Sequence, residues 1–338
     1  MKAAVYKGKQ RLEVEDVPTP RPGPGQVLVK VKYCAICGTD VHLFQYDKVQ
    51  PGSILGHEWC GVITDLGEGV KRWKVGDRVT GGGGEPPHPA PHRLVTNPRF
   101  TYYTMGAQRS TSGAYAEYVV LDAWRPLPIP PGVSDEAAAM TEPCAVAVRA
   151  VSLSRLRLGD TVAVLGAGPI GLLCLQVARA QGAGAVYVSE PAPFRAKAAL
   201  ELGADKVIDP TKCDVVAEMV ALTGGAGPHI AFECAAAQPT LQQALDMVRA
   251  WGQVVLASLA WENVPVRTVD WVGREVELKG TGGTTPEGWA IALELFRQGK
   301  VRVGPMVTKD SYVPLERIQE AFVSLMRPST QLKVLIVP

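Results

Sequence analysis

Apolar and polar residues alternate in the first part of the chain with the two-residue period of half-buried strands. Val29, Val31 and Tyr33 alternate with Lys30 and Lys32. The runs at 61–64, 78–80 and 114–120 have the same character. Gly-Glu-Gly, Val-Gly-Asp and several prolines separate them, and such residues end strands. Short strands punctuated in this way predict an irregular barrel over roughly the first 140 residues. Residues 81–112 differ: four consecutive glycines lead into a proline-rich stretch with little periodicity. That stretch is expected to be a long loop or lobe.

Beyond residue 145 the period changes. Compact apolar runs at 161–165, 185–189, 206–208, 229–234 and 253–257 alternate with helical spacing at 169–180, 194–202, 214–222 and 240–249. Strand and helix in strict alternation predict an α/β domain built on a doubly wound parallel sheet. The tail adds helical patterns at 288–298 and 315–326 and a strand at 333–337. No internal repeat is present.

Composition narrows the function classes. At 338 residues the chain has room for two domains and a large core. Lysine plus arginine total 35 and aspartate plus glutamate 33, a net charge of +2. So balanced a chain does not bind nucleic acid through its field. An uncharged window at 161–178 is long enough to touch the membrane-span range. Its Gly166, Gly168, Pro169, Gly171 and Gln176 make it strand–turn–helix instead, so no membrane segment is expected. The amino terminus is charged throughout and lacks the apolar core of a signal peptide. The seven cysteines are odd in number and irregularly spaced. They are expected to be reduced thiols of a cytoplasmic protein.

The glycine motif Gly166-Ala-Gly-Pro-Ile-Gly171 directly follows an apolar strand and opens a helix. In that context Gly166 permits the sharp turn, Gly168 lets the backbone approach a pyrophosphate, and Gly171 lets helix and strand pack closely. Pro169 and Ile170 begin the helix, whose N-terminus presents free N–H groups to phosphate. Glu190 ends the second strand, 24 residues beyond Gly166. An acid there accepts ribose hydroxyls and repels a 2′-phosphate, which favours NAD over NADP. Arg195, five residues later, would pull the other way.

A second constellation carries metal chemistry. Cys37-Gly-Thr-Asp-Val-His42 lies in an expected loop after a strand, Gly56-His57-Glu58 follows, and Glu142-Pro143-Cys144 stands near the change of pattern. A thiolate, an imidazole and a carboxylate form a set suited to catalytic zinc, which uses three protein ligands and keeps one position open.

Together these motifs resemble the medium-chain, zinc-dependent alcohol dehydrogenases, and among them the sorbitol, 2,3-butanediol and L-threonine dehydrogenase branch. The resemblance runs through Phe232-Glu-Cys-Ala and Lys279-Gly-Thr-Gly, so it covers essentially the whole chain. It implies a GroES-like barrel formed by residues 1–144 and 286–338 around an inserted Rossmann domain, residues 145–285. It implies Cys37, His57 and Glu58 as zinc ligands, with Glu142 a fourth or exchanging one. Asp40 would orient His57. Thr39 would hydrogen-bond the substrate alcohol, and His42 would carry its proton outward.

One departure from the family is plain. Many members hold a structural zinc with four cysteines in the lobe, whereas residues 79–112 contain none. One catalytic zinc per chain and no structural zinc is therefore expected. Cys34, Cys60, Cys174, Cys213 and Cys234 are expected to be packing residues. The expected function is hydride transfer from a secondary alcohol (a polyol, vicinal diol or hydroxy amino acid) to NAD. The partners expected are a small alcohol substrate and, on the resemblance alone, copies of the chain in a homotetramer. A zinc-free quinone or enoyl reductase, or a non-catalytic nucleotide-binding protein, are the alternatives; Cys37 and the His57-Glu58 pair argue against the first, and the intact ligand and relay set against the second.

Overall fold

The strand Gln26–Ala35 organises the first of two compact units, Met1–Glu142 with Val307–Pro338, in the computed structural model. The structure describes residues 1–81, 113–327 and 331–338. Nearly all of the expected lobe therefore lies outside the described residues. Along Gln26–Ala35, Val29 and Val31 are buried while Lys30 and Lys32 are exposed, as the alternation demands. The strand pairs antiparallel with Glu58–Leu66, Tyr118–Asp122 and Leu335–Val337. Arg78–Thr80, Leu127–Pro128 and Tyr312–Pro314 complete a seven-stranded sheet.

The amino-terminal hairpin, Lys2–Gly8 with Arg11–Asp16, was not among the expected strands. Ala3, Ala4, Val5 and Tyr6 are all buried, so the first strand is covered on both faces. Its tight connection places Lys9 and Gln10 at φ 52° and 58°. Two consecutive left-handed residues match the twist of a two-residue hairpin.

The second unit, Pro143–Met306, is a six-stranded parallel sheet. Its order is Lys206–Ile208, Ala185–Ser189, Thr161–Leu165, Ile230–Glu233, Gln253–Leu256, Glu277–Gly280. The strand order reverses beside Thr161–Leu165, the switch point where such sheets bind ligands. Ala163, Leu165, Ile208, Ala231 and Val254 from the strands meet Val215, Met219, Leu245 and Met247 from the helices in one buried cluster. Glu277–Gly280 escapes the hydrophobic pattern because it is a half-exposed edge strand.

Residues 286–306, expected with the first domain, pack within this second unit. The helix Pro286–Arg297 brings Gly288 against the backbone of Ala145. The Gln176 side chain then holds Arg302 by both its N–H and its carbonyl, at 2.7 and 3.1 Å. Among the described residues, no helix is long and apolar enough to cross a membrane.

Candidate functional site

Strand register builds the candidate metal centre. Ala35 pairs with Glu58 across the antiparallel ladder, so the chain leaving Gln26–Ala35 delivers Cys37 beside the start of Glu58–Leu66. The stretch Cys37–His42 is not all loop, as the sequence suggested: Cys37 lies in the link after the strand, and the residues from Gly38 on are helical. Cys37 caps the helix Gly38–Gln45, and its sulfur accepts the Thr39 N–H at 3.4 Å. The partial positive charge of a helix N-terminus favours a thiolate there. Gly56 sets His57. Its φ is +101°, and a Cβ would lie 2.8 Å from Cys34 Sγ and 2.9 Å from the Tyr115 nitrogen. Only glycine meets both demands.

Donor atoms of Cys37, His57 and Glu58 all lie within 4.8 Å of one another. One sulfur, one nitrogen and one oxygen so placed fit zinc in donor chemistry. Asp40, fully buried on the first turn of the helix, has Oδ1 3.4 Å from His57 Nδ1. That leaves Nε2 as the donor for a metal. Burial raises the Cys37 thiol, and Glu58 adds to the effect against an opposing His57. Burial alone would lower His57, but Asp40 and Cys37 hold it well above its ordinary value.

Glu142 stands second in the helix Thr141–Ser152. It is not in the 4.8 Å cluster. Burial pushes its carboxyl up to about 7; His57 opposes that shift and Glu58 reinforces it. Thr39 is buried on the same helix as His42. His42 is half-buried, its ring stacked 6.2 Å from that of Tyr46. Burial holds it below its ordinary value.

Two residues here carried no signal strong enough to be singled out. Tyr115, fully buried, donates its hydroxyl to Asp40 Oδ2 at 2.6 Å. Lys333 reaches Glu58 in a contact sealed from solvent. Burial would lower the Lys333 ammonium, but Glu58, then Cys37 and Glu142, hold it above its usual range. A lone lysine inside the apolar run 332–337 was the available clue, since lysine is almost never fully buried without a partner. Cys213, expected to pack, is exposed. It follows Asp209 in a turn, with its sulfur 3.5 Å from the Asp209 carbonyl.

The glycine motif of the second unit forms the turn its sequence predicts. Gly166 has φ +94°, and a Cβ would meet that of Ala235 at 2.9 Å. A Cβ on Gly171 would fall 1.9 Å from the Gly166 carbonyl oxygen. Gly168 caps the helix Pro169–Gln181 without a side-chain bond. A Cβ there meets nothing within 4 Å, which leaves a cradle open at the helix N-terminus. Pro169 occupies the first helical turn with Ile170 behind it. Glu190, buried at the end of Ala185–Ser189, accepts the Ala167 N–H at 2.7 Å and the Ala192 N–H at 2.9 Å. It therefore clamps the glycine turn to the second strand. Each oxygen keeps a lone pair for a further donor. Arg195 lies over the Phe194 ring at 5.5 Å, and its Nε is buried without a hydrogen-bond partner.

Known proteins share this design. Residues 23–131 match the alcohol dehydrogenase GroES-like domain, and residues 169–298 match the zinc-binding dehydrogenase model. The (R,R)-butanediol dehydrogenase of Bacillus subtilis is 34% identical over the full length of both chains. The L-threonine 3-dehydrogenase of Pyrococcus horikoshii is 34% identical, over 95% of this chain and 94% of its own. A putative zinc-binding dehydrogenase from Sinorhizobium meliloti, solved bound to NADP, superposes with a TM-score of 0.88 at 31% identity. That likeness covers all of this chain and 99% of the other. The chain is an oxidoreductase and belongs to the zinc-binding alcohol dehydrogenase family.

Proposed function

We propose that the protein oxidises a secondary alcohol of the vicinal diol, polyol or hydroxy amino acid class, passing hydride to NAD at one zinc per chain. The observation that carries this reading is the convergence of Cys37, His57 and Glu58 within 4.8 Å. Those three would hold the ion, with Glu142 as a fourth or exchanging ligand. Zinc bound there supplies Lewis acidity, which lowers the pKa of the substrate alcohol. Asp40 fixes the His57 ring so that the ligand nitrogen faces the site. Thr39 would accept the substrate proton at its hydroxyl. His42 lies three residues further along the same helix and thus on the same face, where it would move the proton outward.

The glycine turn with Gly168, Pro169, Ile170 and Gly171 would seat the pyrophosphate of NAD. The Glu190 carboxylate supports NAD over NADP, since a 2′-phosphate beside it costs on the order of a few kcal/mol at 4 Å and an effective dielectric near 20. Arg195 is the residue that would reverse this preference. The cysteine-free stretch 79–112 supports the absence of a structural zinc. We further propose a cytoplasmic homotetramer, on the family resemblance; sedimentation giving only a monomer at micromolar concentration would refute the assembly. The function itself is tested by NAD reduction across polyols, vicinal diols, threonine and simple alcohols. Turnover confined to zinc-loaded protein and to hydroxyl substrates is expected. Reduction of quinones or enones by metal-free protein would overturn the reading.

A further inference from the structure

Lys333 and Glu58 form an ion pair with side chains only 4% and 1% exposed. A buried ammonium and carboxylate each give up hydration that their attraction scarcely returns, so fold stability alone does not account for the pair. Its surroundings do. Glu58 belongs to the ligand cluster, and the buried carboxylate of Asp40 flanks the same His57. Burial raises the Glu142 carboxyl nearby, with His57 opposing the shift and Glu58 reinforcing it. The site is thus crowded with acids that a divalent ion would balance, and Lys333 is set directly against one of them.

We propose that Lys333 is a built-in counter-cation of the metal site, neutralising Glu58 while the ion is absent and opposing the ion once it is bound. The inference rests on the zinc reading above. In the metal-free protein the ammonium sits against the Glu58 carboxylate and holds it in place, so the ligand set is preformed. Once an ion is held by Cys37, His57 and Glu58, the same fixed charge would repel it and lower the affinity for it. Lys333 is therefore a positioning and tuning residue that acts through Glu58.

The test compares Lys333→Met, which keeps most of the side-chain bulk, with Lys333→Arg, which keeps the charge. Thermal unfolding is measured with and without zinc, and zinc affinity by competition with a chromophoric chelator. Lys333→Met should lose more melting temperature metal-free than zinc-loaded. Its zinc Kd should tighten by about tenfold or more, as removal of a like charge requires. Lys333→Arg should stay near wild type. In metal-free protein, adding Glu58→Gln to Lys333→Met should recover stability, because no unpaired buried charge remains.

Equal losses with and without zinc, at unchanged affinity, would reduce Lys333 to packing and overturn the proposal. Weaker zinc binding in Lys333→Met would also overturn it. If the single variant does not fold, the double variant decides: recovery supports the counter-cation, and continued failure refutes it. Wild-type protein that takes up no zinc would sink the zinc reading itself. The metal-free coupling between Lys333 and Glu58 would still show separately whether the two charges compensate.

Discussion

Tyr115 donates its hydroxyl to Asp40 Oδ2 at 2.6 Å, while the other Asp40 oxygen lies 3.4 Å from His57 Nδ1. The three residues come from separate segments and form one chain of contacts, with Tyr115 and Asp40 fully buried, ending at the candidate ligand. Asp40 is held in place by the phenol, and the imidazole is held in place by Asp40. Such outer partners typically govern 10–100-fold in metal affinity, in order of magnitude. Tyr115→Phe keeps the ring against Phe322, where the two rings meet edge-on at 5.8 Å. It should weaken zinc affinity by about tenfold, and Asp40→Ala by about a hundredfold. Chelator competition measures both, and wild-type affinity in Tyr115→Phe would detach the phenol from the metal site.

Zinc uptake should release protons. Burial raises the Cys37 thiol, and Asp40 with Cys37 holds His57 well above its ordinary value. Each shift favours the protonated form of a ligand that must bind metal deprotonated. Affinity should therefore rise with pH, with protons released as zinc binds. Calorimetry in buffers of different ionisation enthalpy counts them. A pH-independent affinity between 6 and 8 would contradict this picture of the ligands.

His42 gives a second pH signature. Burial holds it below its ordinary value, so the neutral ring persists to lower pH than an exposed histidine would. If neutral His42 accepts the proton, alcohol oxidation should hold steady near neutrality and fall only below about pH 6.5. His42→Ala should lose roughly 10²-fold or less in kcat and abolish that limb. Stability has a related sign. As pH falls, the unfolded chain takes this proton before the folded one does, so the His42 contribution declines below its ordinary value. An unchanged rate profile in His42→Ala would remove the residue from proton transfer.

Glu190 has two jobs that one substitution separates. Its carboxylate accepts N–H bonds from Ala167 and Ala192, which ties the glycine turn to the strand. Glu190→Ala should lower kcat/KM with both cofactors as the turn loosens. It should also shrink any preference for NAD, because the charge that repels a 2′-phosphate is gone. A preserved NAD:NADP ratio would leave Glu190 a purely structural clamp.

Much of this was legible in the chain because period is a direct consequence of burial. The alternation at Val29, Val31 and Tyr33 and the apolar run 161–165 announce a half-buried strand and a fully buried one, and both are found. Cys37, His57 and Glu58 were visible because donor types at motif spacing are rare. The strand at Lys2–Gly8 was missed because its run Ala3-Ala4-Val5-Tyr6 is short and does not alternate, being buried throughout. Tyr115 and Lys333 were hidden for a different reason. Each reaches the site across a separation of 75 and 275 residues, to Asp40 and Glu58, and no local pattern encodes that distance.

The central claim, that Cys37, His57 and Glu58 hold one zinc on which alcohol oxidation depends, is tested most directly by metal content measured alongside turnover. Wild type and Cys37→Ser are purified without chelator, and zinc per chain is set against the rate of NAD reduction. The account predicts about one zinc per chain in wild type. In Cys37→Ser it predicts largely lost metal and almost no turnover. Cys37→Ser protein with full zinc and ordinary activity would contradict the account, as would wild-type protein that turns over alcohol with no zinc at all.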